Sequence, residues 1–424
     1  MPGRRNFLKS TASLLAAAIL PHGEAATLEI PTTAPHGILL PPWQPAFLEI
    51  HHIDTGRGNS TFVIGPDGTT FLIDAGEAHS AEKTMSPACP DASRRAGEWI
   101  ARYVRRQLLR IGNSDLDLMF LTHLHGDHVG EVAASSPQSS RGPYRLTGAA
   151  DVADAIAVRE LIYRGWPDYN YPAPPRDPTS LNYIALANSL AARGTKLHQA
   201  TAGSLQQLAL RHDPTHYPAF TARVLSVNGD VWTGSAENAK PHFPPIPALD
   251  PAAMPTENMC CASILLQYGA FRYYSGGDLT CDTDYGRFPW HDIESPVAQA
   301  AGPVDVAVAN HHGYFDACGP AFVRALQPRV WIIPTWHISH PAINVLANLF
   351  STDLYPGERS VFATGITPEA LLTTDRFSSH LSSTDGHVVV RVSPQGRNFS
   401  VHVITARDES GTVLKTFGPF ALGY

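Results

Sequence analysis

The sequence predicts an α/β (α+β) fold in which two β-sheets are covered by helices. Three observations predict it. Short β-type runs come in groups, with amphipathic helical segments between the groups. No self-similarity at solenoid periods interrupts them. The 424 residues are 43% hydrophobic, enough to bury a large core.

In chain order, Phe47 to Asp54, Thr61 to Ile64 and Thr70 to Asp74 are β-type runs, and Pro66-Asp67-Gly68 makes a hairpin turn between the second and third. Ala92 to Ile111 places Ala96, Ile100, Val104, Leu108 and Ile111 on one helical face, closed by Gly112. Leu116 to Leu121 is a strand that runs directly into a histidine cluster. From 132 to 256 the pattern loosens around the Pro-rich stretch 166–178, with a helix at Leu181 to Ala192 and a strand at Phe220 to Val227. Strands resume at Ala262 to Tyr268, Phe271 to Ser275, Val304 to Ala309 and Val330 to Ile333. Helices are expected at Pro320 to Leu326 and Pro341 to Leu349. Val388 to Val392 and Phe399 to Ile404 are the last strands.

The two ends of the chain differ in kind. Residues 1–26 carry Arg4, Arg5 and Lys9, an apolar run Leu14 to Leu20 and the small residues Ala25 and Ala26. That order resembles a twin-arginine export signal and implies a periplasmic or secreted protein, the run being too short to span a bilayer. Residues 27–45 read as a Pro-rich arm, and 46–424 as one catalytic domain with an insertion at about 132–256.

Composition excludes several classes. Charged residues are only 16%, beside 36 prolines and 33 glycines, which fits a loop-rich globular protein and no disordered chain, coiled coil or collagen. Net charge is −7, and loss of Arg4, Arg5, Lys9 and Glu24 with the signal would make it about −9. The basic cluster Arg94, Arg95, Arg102, Arg105 and Arg106 lies along one amphipathic helix and reads as its solvated face. Both features argue against nucleic acid and for a small-molecule substrate. The five cysteines show no C-x-x-C pair; Cys281 and Cys318 could pair, or stay free thiols.

The chemistry is carried by Thr122-His123-Leu124-His125-Gly126-Asp127-His128. With 20 histidines in the chain, three at these spacings are expected about 0.04 times by chance. A strand ending at Leu121 exposes His123 and His125 on one side of a turn. Asp127 and His128 then open a helix that points back across the same cavity. Imidazole and carboxylate ligands of this kind suit zinc, and less often iron or manganese.

This cluster resembles the signature of the metallo-β-lactamase-fold hydrolases, whose architecture is a four-layer αββα sandwich. Asp54-Thr55-Gly56-Arg57-Gly58-Asn59-Ser60 and Asp74-Ala75-Gly76 resemble the branch that contains the periplasmic domain of the competence channel protein ComEC. So do Glu257-Asn258 with Ser263, then Gly276-Gly277-Asp278-Leu279, His311-His312-Gly313 and Trp336-His337-Ile338-Ser339-His340-Pro341. The resemblance covers roughly residues 46 to 393.

The resemblance implies one metal on His123 and His125 and another on Asp127 and His128. Asp278 would bridge them, and His312 or His311 would complete the second site. Asp127 could also orient or deprotonate the attacking water, and Asp74 would fix a ligand histidine. One departure stands out. The family's histidine between the first cluster and the later aspartate has no counterpart, since His198, His212, His216 and His242 lack its Gly-His context. One or two ions are therefore compatible with the sequence.

Lesser candidates divide between chemistry and structure. His340 could donate a proton or contact substrate, or cap a helix before Pro341. His51 and His52 read as structural. Trp166, Tyr169 and Tyr171 could wall a pocket or pack the surface, and Arg57 and Asn59 could meet an anion or shape a turn. The function implied is an exported zinc-dependent hydrolase that activates water to cleave a phosphodiester or related ester. The alternatives are a lactone or amide hydrolase of the same fold and a metal-binding protein without chemistry.

Overall fold

A computed structural model describes residues 32–33, 37–80 and 82–422, so the segment 1–26, expected to be an export signal, lies outside the described residues. The chain lays down most of one sheet, then a second, then returns to the first. The first part comprises β1 (Thr32–Thr33), β2 (Leu48–His52), β3 (Thr61–Ile64), β4 (Thr70–Ile73), β5 (Leu116–Leu121), β6 (Val158–Tyr163) and β7 (Lys196–Gln199). The second sheet comprises β8 (Phe220–Val227), β9 (Asp230–Trp232), β10 (Ala239–Pro241), β11 (Ser263–Tyr268), β12 (Phe271–Ser275), β13 (Val306–Val308), β14 (Val330–Ile333) and β15 (Ser360–Ala363). Strands β16 (His387–Val392), β17 (Asn398–Ile404) and β18 (Val413–Ala421) return to the first sheet, whose order is β1-β18-β17-β16-β2-β3-β4-β5-β6-β7.

Side-chain alternation along the strands builds the layers. On β5, Leu118 and Phe120 enter the apolar layer between the sheets, while Met119 and Leu121 face helices. On β14, Val330 and Ile332 enter the same layer, and Trp331 and Ile333 face the helices of the other side. Helices α1 (Ala96–Arg110), α2 (Gly126–Val129), α3 (Ala149–Ala155) and α4 (Pro178–Ala192) cover the first sheet. Helices α5 (Glu294–Ala301), α6 (Pro320–Leu326) and α7 (Ile343–Leu349) cover the second. The result is the four-layer αββα sandwich expected.

Helix α1 buries Ile100, Val104 and Leu108 at four-residue spacing, each stabilising the fold by about 1.5–3 kcal/mol. It starts at Ala96 instead of Ala92, because the Asp91 side chain accepts from Ser93 N at 2.7 Å and holds that stretch in a turn. The stretch 132–256, loose in sequence, supplies β6, β7, β9, β10 and α3 as well as the expected α4 and β8. The arm contributes β1, paired with β18, and a bridge from Leu39 to Thr412. All five cysteines are free thiols, so Cys281 and Cys318 do not form the bridge weighed above.

Two parallel groups of strands position the site. Strands β4, β5, β6 and β7 run parallel, as do β12, β13, β14 and β15. Asp74, the 122–128 cluster, Asp278, the His311-His312 pair and His340 all follow the carboxyl ends of such strands, where open α/β sheets place their ligands. Among the described residues no helix is long and apolar enough to cross a membrane.

Candidate metal centre

Six of the seven residues expected to hold metal gather at this edge in two sets, and His311 stands beside them. Donor atoms of Asp127, His128, Asp278 and His312 lie within 4.8 Å of one another, and so do those of His123, His125 and Asp278. Asp278 belongs to both sets and divides its oxygens between them. Its Oδ1 is 3.0 Å from His128 Nε2 and 3.5 Å from His312 Nε2. Its Oδ2 is 3.6 Å from His123 Nε2 and 3.7 Å from His311 Nε2. Ligands at about 2.0–2.1 Å from a tetrahedral zinc stand roughly 3.3–3.4 Å apart, so these spacings are those of donors around an ion.

The backbone is shaped to bring these groups together. Gly58 and Gly76 wrap the Asp127 carbonyl so closely that a Cβ on either would fall 2.3 or 1.8 Å from its oxygen. Asn59 N also donates to that oxygen at 2.8 Å. The first glycine loop is therefore a cradle for the histidine cluster. Glu257, paired with Arg164, accepts from Leu124 N at 2.9 Å and pins the turn between His123 and His125. His311 and His312 both adopt left-handed backbone (φ 47° and 55°), a strained choice that turns two successive imidazoles toward Asp278.

Hydrogen bonds fix which ring nitrogen faces inward. His312 Nδ1 donates to the Pro334 carbonyl at 2.9 Å, which leaves Nε2 for the centre. His128 Nδ1 donates to Asp74 at 2.7 Å, and His311 Nδ1 to Asp316 at 2.7 Å. The Thr122 hydroxyl donates to Asp74 at 2.8 Å, so its oxygen is the acceptor for His123 Nδ1 at 3.1 Å. Four imidazoles thus present Nε2 to one carboxylate. Asp74 anchors the arrangement as expected, taking further bonds from Thr122 N at 2.8 Å and Asn59 Nδ2 at 3.2 Å.

Charge follows the same pattern. Burial works against protonation of His128 and His312, but Asp278 and the neighbouring carboxylates outweigh it. His128 is pushed well above the usual histidine range, and His312 to about 9. For Asp127 and Asp278 burial opposes ionisation, and the surrounding histidines, His128 first, overcome it and hold both carboxylates ionised. Burial and the neighbouring His128 hold His123 neutral, far below its ordinary range. The cluster is a cage of carboxylates and imidazoles tuned to positive charge. The fit to a cation also shows in atoms without other use: buried His123 Nε2 and Asp278 Oδ2 have no hydrogen-bond partner.

Beside the second set, His340 stacks on His312 with ring centroids 5.1 Å apart and planes at 20°. Trp336 meets both rings edge-on. Buried His340 Nδ1 and Trp336 Nε1 have no partner, and burial with nearby His312 and His311 keeps His340 neutral. A cleft of about 530 Å³ opens next to His125, walled by Thr256, Asn258, Met259, Phe288, His291 and Asp316.

The remaining candidates fall outside the centre. His51 Nε2 donates to the Glu49 carboxylate while its Nδ1 meets the Tyr103 hydroxyl, and His52 lies near Thr61; both are buried structural groups of β2. Tyr169 packs against Tyr163, Tyr183 and Trp166. Asn59 braces Asp74, and Arg57 donates to the Gly56 carbonyl. Sequence reasoning missed Asp316, Arg164 and Glu294. Glu294, pushed up by burial to about 8, gathers Asn310 Nδ2, Cys318 N and Gly319 N around the His311-His312 turn.

One comparison falls on this centre. The Metallo-beta-lactamase superfamily model matches residues 53–137, the segment with Asp74 and the histidine cluster. No curated protein matches the chain. Among solved structures, one described as "Putative metal-dependent hydrolase from Parabacteroides distasonis" is 12% identical, at a TM-score of 0.35, covering 76% of this chain and 94% of its own. Another, described as a new diphosphatase from the PhnP family, is 11% identical at a TM-score of 0.33, covering 82% of this chain and 98% of its own. At those scores neither carries an argument about substrate. The segment 53–137 is thus similar to the Metallo-beta-lactamase superfamily, and Asp278 and His312 join its histidine cluster from the second sheet.

Proposed function

We propose that this protein is an exported zinc-dependent hydrolase of the ComEC-like branch, which cleaves a phosphodiester or related ester of small size. The observation that carries the reading is Asp278, whose two oxygens serve two separate sets of donors. His123, His125 and Asp278 would hold one ion, and Asp127, His128, Asp278 and His312 the other. Zinc suits these ligands; manganese or iron would be accepted by the same atoms. When bound, such a pair lowers the pKa of a shared water toward about 7 and neutralises charge on the attacking and leaving oxygens of an in-line displacement.

The chain's own groups supply the rest. Asp127, held ionised beside His128 and His312, is placed to orient the water and take its proton. The neutral imidazole of His340 and the Trp336 indole N–H are donors with no other use, suited to a substrate oxygen next to His312. A bridging carboxylate in both sets favours charge spread over phosphoryl oxygens, which need a cation on the entering and on the leaving side. The Arg-Arg start of the chain supports export. The helix α1 arginines support a small substrate over nucleic acid, because Arg102 and Arg106 pair with Glu409 and Arg95 with Asp151.

A substrate panel tests the reading. Bis-(p-nitrophenyl) phosphate, an acyl-homoserine-type lactone and nitrocefin are assayed with and without chelator. EDTA-sensitive turnover confined to the diester is expected. Turnover of the lactone or nitrocefin alone would assign the acyl chemistry instead.

A further inference from the structure

We infer that His311, backed by Asp316, is the third histidine for the ion of His123 and His125, in place of the one missing between His128 and Asp278. The inference rests on the proposed metal centre and goes beyond it by assigning a residue expected, if anywhere, in the second set. The intervening histidines are accounted for elsewhere: His198 pairs with Glu160 and His212 with Asp117, while His216 and His242 lie against Tyr217 and Phe243. The first set thus has three donors, His123, His125 and Asp278, beside the four of the second.

His311, outside both sets as the side chains stand, reaches the same carboxylate oxygen as His123. Its Nε2 is 3.7 Å from Asp278 Oδ2, matching the 3.6 Å of His123 Nε2 from the same oxygen. His312, next in the chain, serves Oδ1 from the other side. Two consecutive left-handed residues let neighbouring side chains converge on one carboxylate, strain that a site repays and an ordinary turn would avoid. His311 N is also tied to the Gly277 carbonyl at 3.0 Å, which fixes the loop to the one bearing Asp278. Asp316 Oδ1, 2.7 Å from Nδ1, sets the tautomer with Nε2 as the donor atom, the arrangement that orients and strengthens metal-bound histidines. The contact on Nε2 is a 3.3 Å approach from Asn258 Nδ2, long enough for an ion to displace.

Metal content decides the matter. Chelated protein is refilled with excess zinc, desalted and measured for ions per chain, and the cobalt-loaded form is followed by its visible spectrum. Wild type is expected to hold two ions. His311→Ala is expected to hold one, with loss of one cobalt band set and with unchanged circular dichroism. Asp316→Asn is expected to weaken the more labile ion by about 10–100-fold while a His198→Ala control matches wild type. If His311→Ala does not fold, Asp316→Asn decides alone. Two ions held by His311→Ala at wild-type affinity, an Asp316→Asn affinity equal to wild type, or a wild type that takes up one ion would each overturn the inference. A wild type that binds none would remove the proposed centre with it, whereas two ions in both proteins would remove only the role of His311.

Discussion

Asp74 Oδ2 accepts the Nδ1 proton of His128 at 2.7 Å, and the same carboxylate takes both the backbone N–H and the hydroxyl of Thr122. One residue at the end of β4 thereby sets the ring of His128 and, through Thr122, that of His123. Each of those rings serves a different oxygen of Asp278. The two sheets of the sandwich meet in this relationship, since Asp74 and the histidines come from the first and Asp278 from the second.

Replacing Asp74 by Ala should therefore weaken both ions together. The expected loss is about 10–100-fold in affinity, measured by competition with a chromophoric chelator. Donors of Thr122 and Asn59 left without an acceptor should also lower stability by about 1–3 kcal/mol. Wild-type affinity for both ions in this variant would refute the anchoring role.

Metal uptake should release protons. In the metal-free protein the neighbouring carboxylates hold His128 well above the ordinary histidine range and His312 at about 9, so protons kept on this pair at pH 7 must leave for an ion to bind. Calorimetry in two buffers of different ionisation enthalpy should show release of roughly one to two protons at pH 7, and less as the pH rises past 9. Apparent affinity rises over the same range. Heats independent of buffer at pH 7 would contradict the charge assignment.

Acid should destabilise the first sheet through His52 and His387. Burial holds both neutral, with pKa lowered to about 3, while an unfolded histidine titrates near 6.5. The unfolded chain then binds protons that the fold does not, so stability is complete above about 6.5 and falls as the pH drops toward 3. Each group contributes a slope of up to about 1.4 kcal/mol per pH unit. Denaturant unfolding of metal-free His52→Gln between pH 4 and 6 should be shallower in pH than wild type by one such slope. Equal slopes would show that His52 is not the group concerned.

His340→Ala should leave two ions in place and lower kcat by about 10²–10³-fold, the usual cost of one donor aimed at developing charge. Because His340 is neutral near pH 7, its removal should not move the acidic limb of the pH–rate profile. A shifted acidic limb would instead assign it the work of a protonated acid.

Much of this site was readable in sequence because its parts are local. His123, His125, Asp127 and His128 follow one strongly apolar strand, and the His311-His312-Gly313 turn follows another. What could not be read lies in contacts between distant segments. Glu257 supports Leu124 from 133 positions away, and Arg164 holds Glu257 from the end of β6. Strands β6 and β7 escaped notice because Arg159, Glu160 and Lys196 break up their apolar pattern near the sheet edge, where neighbours make up for weak propensity. The choice between His311 and His312 was likewise beyond a linear reading, since it depends on which oxygen of Asp278 each ring meets.

The most direct test of the two-ion hydrolytic centre is the turnover of bis-(p-nitrophenyl) phosphate by chelated protein as zinc is added in measured equivalents. Turnover should be absent at first, rise to a plateau at the second equivalent, and stay absent throughout in Asp278→Ala. Undiminished turnover by the chelated protein, or a wild-type curve from Asp278→Ala, would contradict the account.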